Sequence, residues 1–177
     1  MLAIFLNGDK IFYATGNRNI CMYCKKGYIE KIKLGEKTLV RFQIVEYLRA
    51  FLFGRIGWAE LNCLMIISGA FGVFDKKVVI QAGGYSKDTI GEDMELVVKI
   101  HRMMIESKRK YKIVFVPDPV CWTQVPDERR ILKNQRKRWH KGLMDAMLSH
   151  KSMLLNPKYK SVGMLAMPYY FFIEMLG

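Results

Sequence analysis

Two short stretches of the chain carry residue types that catalysis commonly uses. The first, Gly91–Leu96, places the carboxylates of Glu92 and Asp93 at the start of a predicted helix. The helix dipole favours the ionised form of an acid in the first turn, so Asp93 is available as a base, and Glu92 beside it would tune the pair. Acidic residues are also ordinary in first turns that have no catalytic role. This stretch alone therefore does not establish a site.

The second stretch, Gln135–Trp139, combines an amide, three cations and an indole. Gln135, Arg138 and Trp139 are spaced by three and four positions, so they share one face of a helix. Arg138 can form a two-pronged contact with a phosphate, and Trp139 can stack on a sugar ring. The alternative is a solvated basic face with a buried tryptophan. Joined to a positioned base, this stretch suits the transfer of a group from a diphosphate leaving group.

Length and charge narrow the class of protein. At 177 residues, of which 51% are apolar, the chain suits one domain with a sizeable core, and no long polar tract argues for disorder. The formal charge of +13 favours an anionic partner. A nucleic acid, an acidic membrane surface and phosphorylated substrates all fit that charge.

The four cysteines do not suggest a disulfide scaffold. Cys21 and Cys24 form one C-x-x-C, and no second such pair follows. A zinc site completed by two distant ligands is the alternative to reduced cysteines in a cytosolic hairpin. The apolar stretch over residues 1–6 is too short for a signal peptide and lacks a basic start.

The pattern of apolar residues and turn signals predicts strands that alternate with helices, hence an α/β domain. Strands are predicted over Leu2–Leu6, Ile11–Ala14, Tyr28–Lys33, Cys63–Ile67, Gly72–Phe74 and Lys112–Val116. Helices are predicted from the cap Thr38 to about Phe53, ended by Gly54 and Gly57; from the cap Asp75 to Gln81, closed by Gly83-Gly84; from Gly91 to about Ser107; and from Pro126-Asp127 to about His150. Asn7-Gly8-Asp9 predicts a hairpin between the first two strands.

The carboxy-terminal third predicts contact with a membrane. The helix after Pro126 is basic and amphipathic, which suits a membrane surface. Ser161–Gly177 is almost wholly apolar and 17 residues long, at the lower limit for a span, so we expect the beginning of a membrane helix. Of the histidines, His101 is expected in the core, and His140 and His150 at the surface or an interface rather than on a metal.

The order of these motifs resembles the membrane-bound processive glycosyltransferases of family 2, which include cellulose, chitin, hyaluronan and poly-N-acetylglucosamine synthases. The resemblance covers roughly residues 38–177. It is carried by Ser68-Gly69-Ala70-Phe71, Gly83-Gly84-Tyr85, Gly91-Glu92-Asp93-Met94-Glu95-Leu96 and Gln135-Arg136-Lys137-Arg138-Trp139.

The resemblance implies a partial GT-A domain, the Rossmann-like fold of nucleotide-diphospho-sugar transferases, over residues 1–125. An interfacial helix over 126–155 and the start of a membrane helix over 156–177 would follow. It further implies inverting transfer from a nucleotide-diphosphate sugar, such as a UDP-sugar, to a growing glycan. Asp93 matches the catalytic base, Arg138 the arginine that contacts the diphosphate, and Trp139 the residue beside the acceptor. The remaining residues matched to donor or acceptor binding are Gln135, Arg136, Glu92, Ser68 and Gly69.

One departure from the family pattern is clear. Family members carry an upstream uridine-binding aspartate and a D-x-D metal motif, whereas here no D-x-D occurs and Asp9 stands alone. The Mg²⁺ or Mn²⁺ expected for the complete enzyme would have its ligands outside this chain. We therefore expect the carboxy-terminal half of a catalytic domain, inactive alone, that needs the missing half and membrane lipid as partners. Its expected place is the cytoplasmic face of the inner membrane.

Two other functions remain open from the sequence. A non-catalytic basic module could bind anionic lipid or nucleic acid through residues 128–141, and a single-addition transferase could share the same fold. No nucleic-acid recognition motif occurs, so no nucleic-acid partner is expected.

Overall fold

The structure is a computed structural model. It describes residues 2–6, 20–21, 37–67, 69, 72–116, 121–122 and 126–176. The α-helices of this part are α1 (Thr38–Tyr47), α2 (Gly54–Glu60), α3 (Lys76–Gln81), α4 (Glu92–Glu106) and α5 (Arg129–Ser149). Its strands are β1 (Leu2–Leu6), β2 (Ile20–Cys21), β3 (Gly72–Val73), β4 (Lys112–Val116) and β5 (Cys121–Trp122). The predicted α/β character is confirmed.

β1 is the central strand of a three-stranded sheet with the order β3-β1-β4. It pairs in parallel with β3, where Ala3 faces Gly72, and antiparallel with β4, where Leu2 faces Val116. β2 and β5 form a separate parallel pair. The other predicted strand of the amino-terminal hairpin, the turn at 7–9 and the strand over 28–33 lie outside the described residues.

α4 is the central helix because it contributes to both hydrophobic clusters. Met94 and Val98 pack with α5 and the carboxy-terminal segment, whereas Val97 and Ile100 pack with α3 and β4. These four side chains are almost fully buried. Since a helix packed on two sides has little freedom to shift, the start of α4 is fixed by the core behind it.

The predicted ends of α3 are confirmed. The Asp75 carboxylate accepts hydrogen bonds from the backbone N–H groups of Lys77 (2.7 Å) and Val78 (3.2 Å), which caps the helix. After the helix, Gly83 and Gly84 take positive φ angles of 86° and 68°, a conformation that side chains disfavour. α4 also begins at Glu92, as predicted, with Gly91 as its cap.

The first predicted helix differs from the structure at both ends. The cap is Lys37 rather than Thr38, and it makes no side-chain capping bond. Gly54 does not end the helix, because a π-helical turn over Leu48–Phe53 leads directly into α2, where Gly54 has helical angles. The buried side of α2 carries Ala59 and the partly buried Trp58, and their packing in the core favours the helix against the glycine cost of about 1 kcal/mol.

Cys63–Ile67 is buried as predicted, but its assignment as a strand is wrong. No strand pairing is described there. The carbonyl of Leu64 instead accepts a hydrogen bond from Nε2 of His101 on α4 (3.0 Å). The segment is therefore held by a helix side chain and by the core on both sides rather than by a sheet.

α5 begins at Arg129, later than predicted, because the residues before it are used to join α1. Asp127 pairs with Lys37 (2.6 Å), and the Pro126 carbonyl accepts a hydrogen bond from the buried Gln43 (2.7 Å). After α5, short 3-10 and π-helical turns continue to Met175. In the part of the chain that the structure describes, no helix has the length and apolar character needed to cross a bilayer. The predicted start of a membrane helix stays a prediction.

The buried His101 gives a testable dependence of stability on pH. Its Nε2–H donates to Leu64 and its Nδ1 accepts from the Tyr111 hydroxyl (2.7 Å), while burial lowers the pKa of the imidazole to about 4. The unfolded chain takes up this proton near pH 6.5, so between pH 6.5 and 4 it binds more protons than the folded chain. We expect the free energy of unfolding to fall by about 1.4 kcal/mol per pH unit as the pH drops through this window.

Urea unfolding at a series of pH values measures this slope. His140, which is exposed, provides the control: His140→Gln should retain the slope, whereas His101→Gln should reduce it. An unfolding free energy that stays flat between pH 6.5 and 5 would contradict the assignment.

Candidate functional site

Asp93 lies in the first turn of α4, partly buried at the protein surface. Its carboxylate accepts a hydrogen bond from the backbone N–H of Met94 (2.8 Å) and interacts with the backbone N–H of Gly69. Burial, and to a lesser extent the neighbouring charge of Glu92, raise the pKa of Asp93 above its usual value, although the backbone donors oppose that rise. A carboxylate whose proton affinity is raised in this way is a better general base than a solvated one.

Gly69 is the point where the segment after Ile67 meets Asp93. A Cβ built at Gly69 would lie 3.0 Å from Oδ2 of Asp93 and 3.4 Å from its Cβ. Only glycine lets the backbone come this close without displacing the carboxylate. The structure thus brings Gly69, from the predicted motif at 68–71, against Asp93, from the predicted motif at 91–96. Ser68, Ala70 and Phe71 lie outside the described residues.

Gly91 and Gly142 join the start of α4 to α5. A Cβ at Gly91 would lie 2.8 Å from the Cα of Gly142, and a Cβ at Gly142 would lie 2.7 Å from the Cα of Gly91. Gly142 follows Arg138 by four residues and Trp139 by three, so all three belong to one face of α5. The predicted helix motif therefore lies about one turn from the contact with the cap of α4.

Arg136 is engaged within the protein. Its guanidinium pairs with Glu46 on α1 (2.6 Å) and lies 4.8 Å from the ring centre of Trp139. The same guanidinium is 6.0 Å from the ring centre of Tyr47. Arg136 thereby connects α5 to α1 and supports the indole of Trp139, which is about two-fifths exposed (39%).

The Gln135 side chain contains a buried carbonyl oxygen with no hydrogen-bond partner within the described part of the chain. A buried acceptor without a partner is costly, so its partner is expected to be water, a ligand or a residue outside the described ranges. Arg138 on the same face is exposed. Glu92, beside Asp93, is also exposed.

Glu95, only two residues after Asp93, has a different environment. Its buried carboxylate accepts hydrogen bonds from Ser86 (2.7 Å) and from Nε2 of His150 (3.2 Å), and it pairs with Lys99 (3.3 Å). Burial alone would raise the pKa of Glu95, but these donors outweigh it and the pKa is lowered. Glu95 is thus an ionised anchor between α4 and the end of α5. His150, expected at the surface or at an interface, is not at the surface, since only 5% of it is exposed.

Sequence reasoning also missed Arg55. It is buried in α2, where burial lowers the pKa of its guanidinium to about 10, while the charges of Tyr170 and Asp93 act in the opposite direction. This places a cation in the interior within electrostatic range of Asp93. No periodicity could have revealed it, because arginine is expected at the surface unless a partner is known.

The described side chains do not form a metal site. No group of three or more histidine, cysteine or acidic side chains that could hold a metal ion occurs among the described residues. The donor set in this part of the chain therefore does not fit the expected Mg²⁺ or Mn²⁺. The predicted pair Cys21 and Cys24 is described only at Cys21 in β2. Cys63 is buried, and burial raises the pKa of its thiol to about 11, which leaves it unreactive.

A carboxylate at the start of α4 and a neighbouring helix that carries an arginine and a tryptophan are residue types that sugar transfer can use. Residues 9–176 match the family described as "Glycosyl transferase family group 2", and the chain belongs to that family. This match begins at residue 9, whereas the resemblance carried by the sequence motifs begins near residue 38. Membership implies the GT-A fold of nucleotide-sugar transferases.

The chain is similar to curated poly-beta-1,6-N-acetyl-D-glucosamine synthases. It is 29% identical over 150 residues to that of Staphylococcus aureus strain COL and 27% identical over 150 residues to that of Staphylococcus epidermidis. Each alignment covers 84% of this chain and 32% of the relative, so the chain spans about a third of the length of these relatives. No solved structure matches.

The contact between Gly91 and Gly142 predicts a large effect of one methyl group. In Gly142→Ala the new Cβ meets backbone atoms that cannot rotate away, so we expect a loss of about 1–3 kcal/mol in the free energy of unfolding. Gly57→Ala is the matched control, because no atom lies within 4 Å of the added Cβ. Because Gly57 lies in helix α2, Gly57→Ala should leave the free energy of unfolding unchanged or raise it by up to about 1 kcal/mol. Urea unfolding of both variants measures the difference, and equal effects would contradict the close contact.

Proposed function

We propose that this chain carries the base and acceptor side of an inverting glycosyltransferase of polysaccharide synthesis. The donor is a nucleotide-diphosphate sugar, most simply a UDP-sugar, and the acceptor is the hydroxyl at the end of a growing glycan. The observation that carries the proposal is the position of Asp93, which lies against Gly69 and two residues after Gly91, whose contact with Gly142 joins the start of α4 to the face of α5 that carries Arg138.

The reaction follows from these positions. Asp93 takes the proton of the acceptor hydroxyl while that oxygen forms a bond to the anomeric carbon of the donor. The bond between the anomeric carbon and the diphosphate breaks on the opposite face, and its electron pair leaves with the nucleoside diphosphate, so the configuration inverts. Negative charge grows on the leaving diphosphate, and the exposed Arg138 is suited to stabilise it.

Gln135 and Trp139 fit the sugar side of the site. The buried carbonyl of Gln135 can accept a hydrogen bond from a sugar hydroxyl. The Trp139 ring, supported by Arg136, offers a flat face for the acceptor end of the glycan. The proposal also includes the roles predicted for Ser68 and Glu92 in binding the donor or the acceptor.

The proposal also covers the metal site of the complete enzyme and its location in the cell. The D-x-D motif, and with it the Mg²⁺ or Mn²⁺ of the complete enzyme, would come from residues outside this chain, so the isolated chain should be inactive. The amphipathic α5 and the apolar terminal segment would place the site at the cytoplasmic face of the cell membrane. Processive extension of the glycan follows from the Q-x-x-R-W motif only by resemblance.

A fusion tests the proposal. The part of the S. aureus synthase that precedes its matching segment is joined to this chain, and transfer from radiolabelled UDP-N-acetylglucosamine into polymer is measured with Mn²⁺. We expect turnover by the fusion and none by the chain alone. Steady turnover by the chain alone would contradict the need for the missing half.

Within that fusion, Asp93→Asn should lower kcat by about 10²–10⁴, since an amide cannot accept the proton. Donor KM should change little, because Asp93 acts on the acceptor. Asp88→Asn, which alters an exposed aspartate, is the control and should retain activity. Activity of Asp93→Asn at the level of this control would exclude Asp93 as the base.

Arg138→Gln should lower kcat/KM for the donor by about 10- to 100-fold, the value of a charge-assisted hydrogen bond to the diphosphate. Arg130→Gln removes an equally exposed cation from the same helix and should have little effect. Steady-state kinetics with varied donor separate the two. Equal losses in both variants would show that general charge, rather than a diphosphate contact, is responsible.

A further inference from the structure

The carboxylate of Glu95 connects three parts of the fold. Its Oε2 accepts a hydrogen bond from Ser86 (2.7 Å), in the turn after α3, and pairs with Lys99 on α4 (3.3 Å). Its Oε1 accepts a hydrogen bond from Nε2 of His150 (3.2 Å), the residue that caps the end of α5. Both carboxylate oxygens are therefore engaged, at a position only two residues after Asp93 on the same helix.

The Glu95–His150 bond is a second point of contact between α4 and α5. The first is the backbone contact of Gly91 with Gly142. Gly142 and His150 are about 12 Å apart along α5, and Arg138 lies about 6 Å from Gly142 in the opposite direction. If α5 turned about the glycine contact, a movement of about 2 Å at His150 would therefore shift the helix by about 1 Å at Arg138.

Apolar packing between the two contact points does not supply the same constraint. Side chains of both helices belong to one hydrophobic cluster, which holds the helices together; they are Met94, Val98, Ala146 and Met147. Hydrophobic contact has no preferred direction, whereas a hydrogen bond sets both a distance and an angle. The bond from His150 therefore defines the angle of α5 across α4 more closely than the apolar side chains do.

The His150 side chain makes no further hydrogen bond within the described part of the chain. Its Nδ1 is buried without a partner among the described residues, and only 5% of the residue is exposed. A buried polar atom without a partner is costly. The fold tolerates this cost at a position where leucine would fill similar space, which indicates that the bond to Glu95 is what the histidine contributes.

We propose that Glu95 and His150 are positioning residues whose bond sets the angle of α5, so that substrates held by Arg138 and Trp139 are aligned with Asp93. The inference rests on the proposed function. A misplacement of about 1 Å between reacting groups can lower a rate by about 100-fold. Loss of the bond should therefore lower kcat. Donor KM should change little, because the side chains of α5 that bind the substrates move together.

Substitutions at position 150 separate the bond from the rest of the side chain. His150→Leu fills similar space and removes the donor, and it also removes the unpartnered Nδ1, so a loss of folding is not expected. His150→Gln retains a side-chain N–H that can reach Glu95. Tyr159→Phe is the matched control, because it removes a hydrogen bond from a buried side chain to the other end of α4, at Glu106 (2.7 Å). Far-UV circular dichroism confirms that the three variants are folded.

Hydrogen exchange of the purified chain, read by mass spectrometry, tests the contact without any substrate. In His150→Leu, exchange in peptides that cover residues 142–150 should become at least about tenfold faster, since the end of α5 loses a hydrogen bond to a charged group. His150→Gln should stay within about threefold of the unchanged chain, and Tyr159→Phe should not affect these peptides. Unchanged exchange in His150→Leu would overturn the proposal.

Steady-state kinetics of the fusion with the S. aureus segment test the role in transfer. His150→Leu should lower kcat by about 10- to 100-fold with donor KM within about threefold, whereas His150→Gln and Tyr159→Phe should keep kcat within about threefold. In an active fusion, equal kcat in His150→Leu and Tyr159→Phe would overturn the positioning role and leave the roles of Asp93 and Arg138 in place. An unmodified fusion that makes no polymer would instead overturn the proposed function and this role with it, so the two failures are distinguishable.

Discussion

The backbones of Gly91 and Gly142 approach so closely that neither position has room for a side chain, and the arrangement of the site depends on this contact. α4 is fixed by hydrophobic packing on both of its sides, so its first turn has a set position. The glycine contact fixes α5 relative to α4, and it therefore also fixes where the backbone presents Arg138 and Trp139. The position of Asp93 relative to the Gln135–Trp139 stretch of α5 is thus decided by backbone packing rather than by contacts among these side chains.

Two carboxylates on the same helix show how the surroundings divide their roles. Asp93 is held mainly by backbone donors in a partly buried place, and its pKa is raised. Glu95 is also buried, yet Ser86, His150 and Lys99 hold it as an anion and its pKa is lowered. The first has the higher proton affinity, whereas the second is held as an anion and ties α4 to the end of α5. Only their partners separate them, since both are acids in the same helical turn.

The chain belongs to the glycosyltransferase family and spans about a third of the length of its curated relatives. It contains Asp93 at the start of α4, the close approach of Gly69 and the Gln135–Trp139 stretch of α5. The cation site of the family pattern has no counterpart in the sequence or among the described side chains. Asp93 and the Gln135–Trp139 stretch are joined through α4, which packs in both hydrophobic clusters.

By itself, the sequence determined the class of protein and indicated the residues proposed to carry its chemistry. Asp93 at a helix start, the spacing of Gln135, Arg138 and Trp139, the Asp75 cap and the glycines after α3 are local signals, and local signals need no knowledge of distant contacts. The tertiary structure decided what depends on distant partners. It continued the first helix through Gly54 because α2 has a core to bury against, and it held Leu64 through His101 instead of a strand. It buried Arg55 and His150 for the same reason, because the charges and hydrogen bonds that make such burial tolerable come from residues far away in the chain.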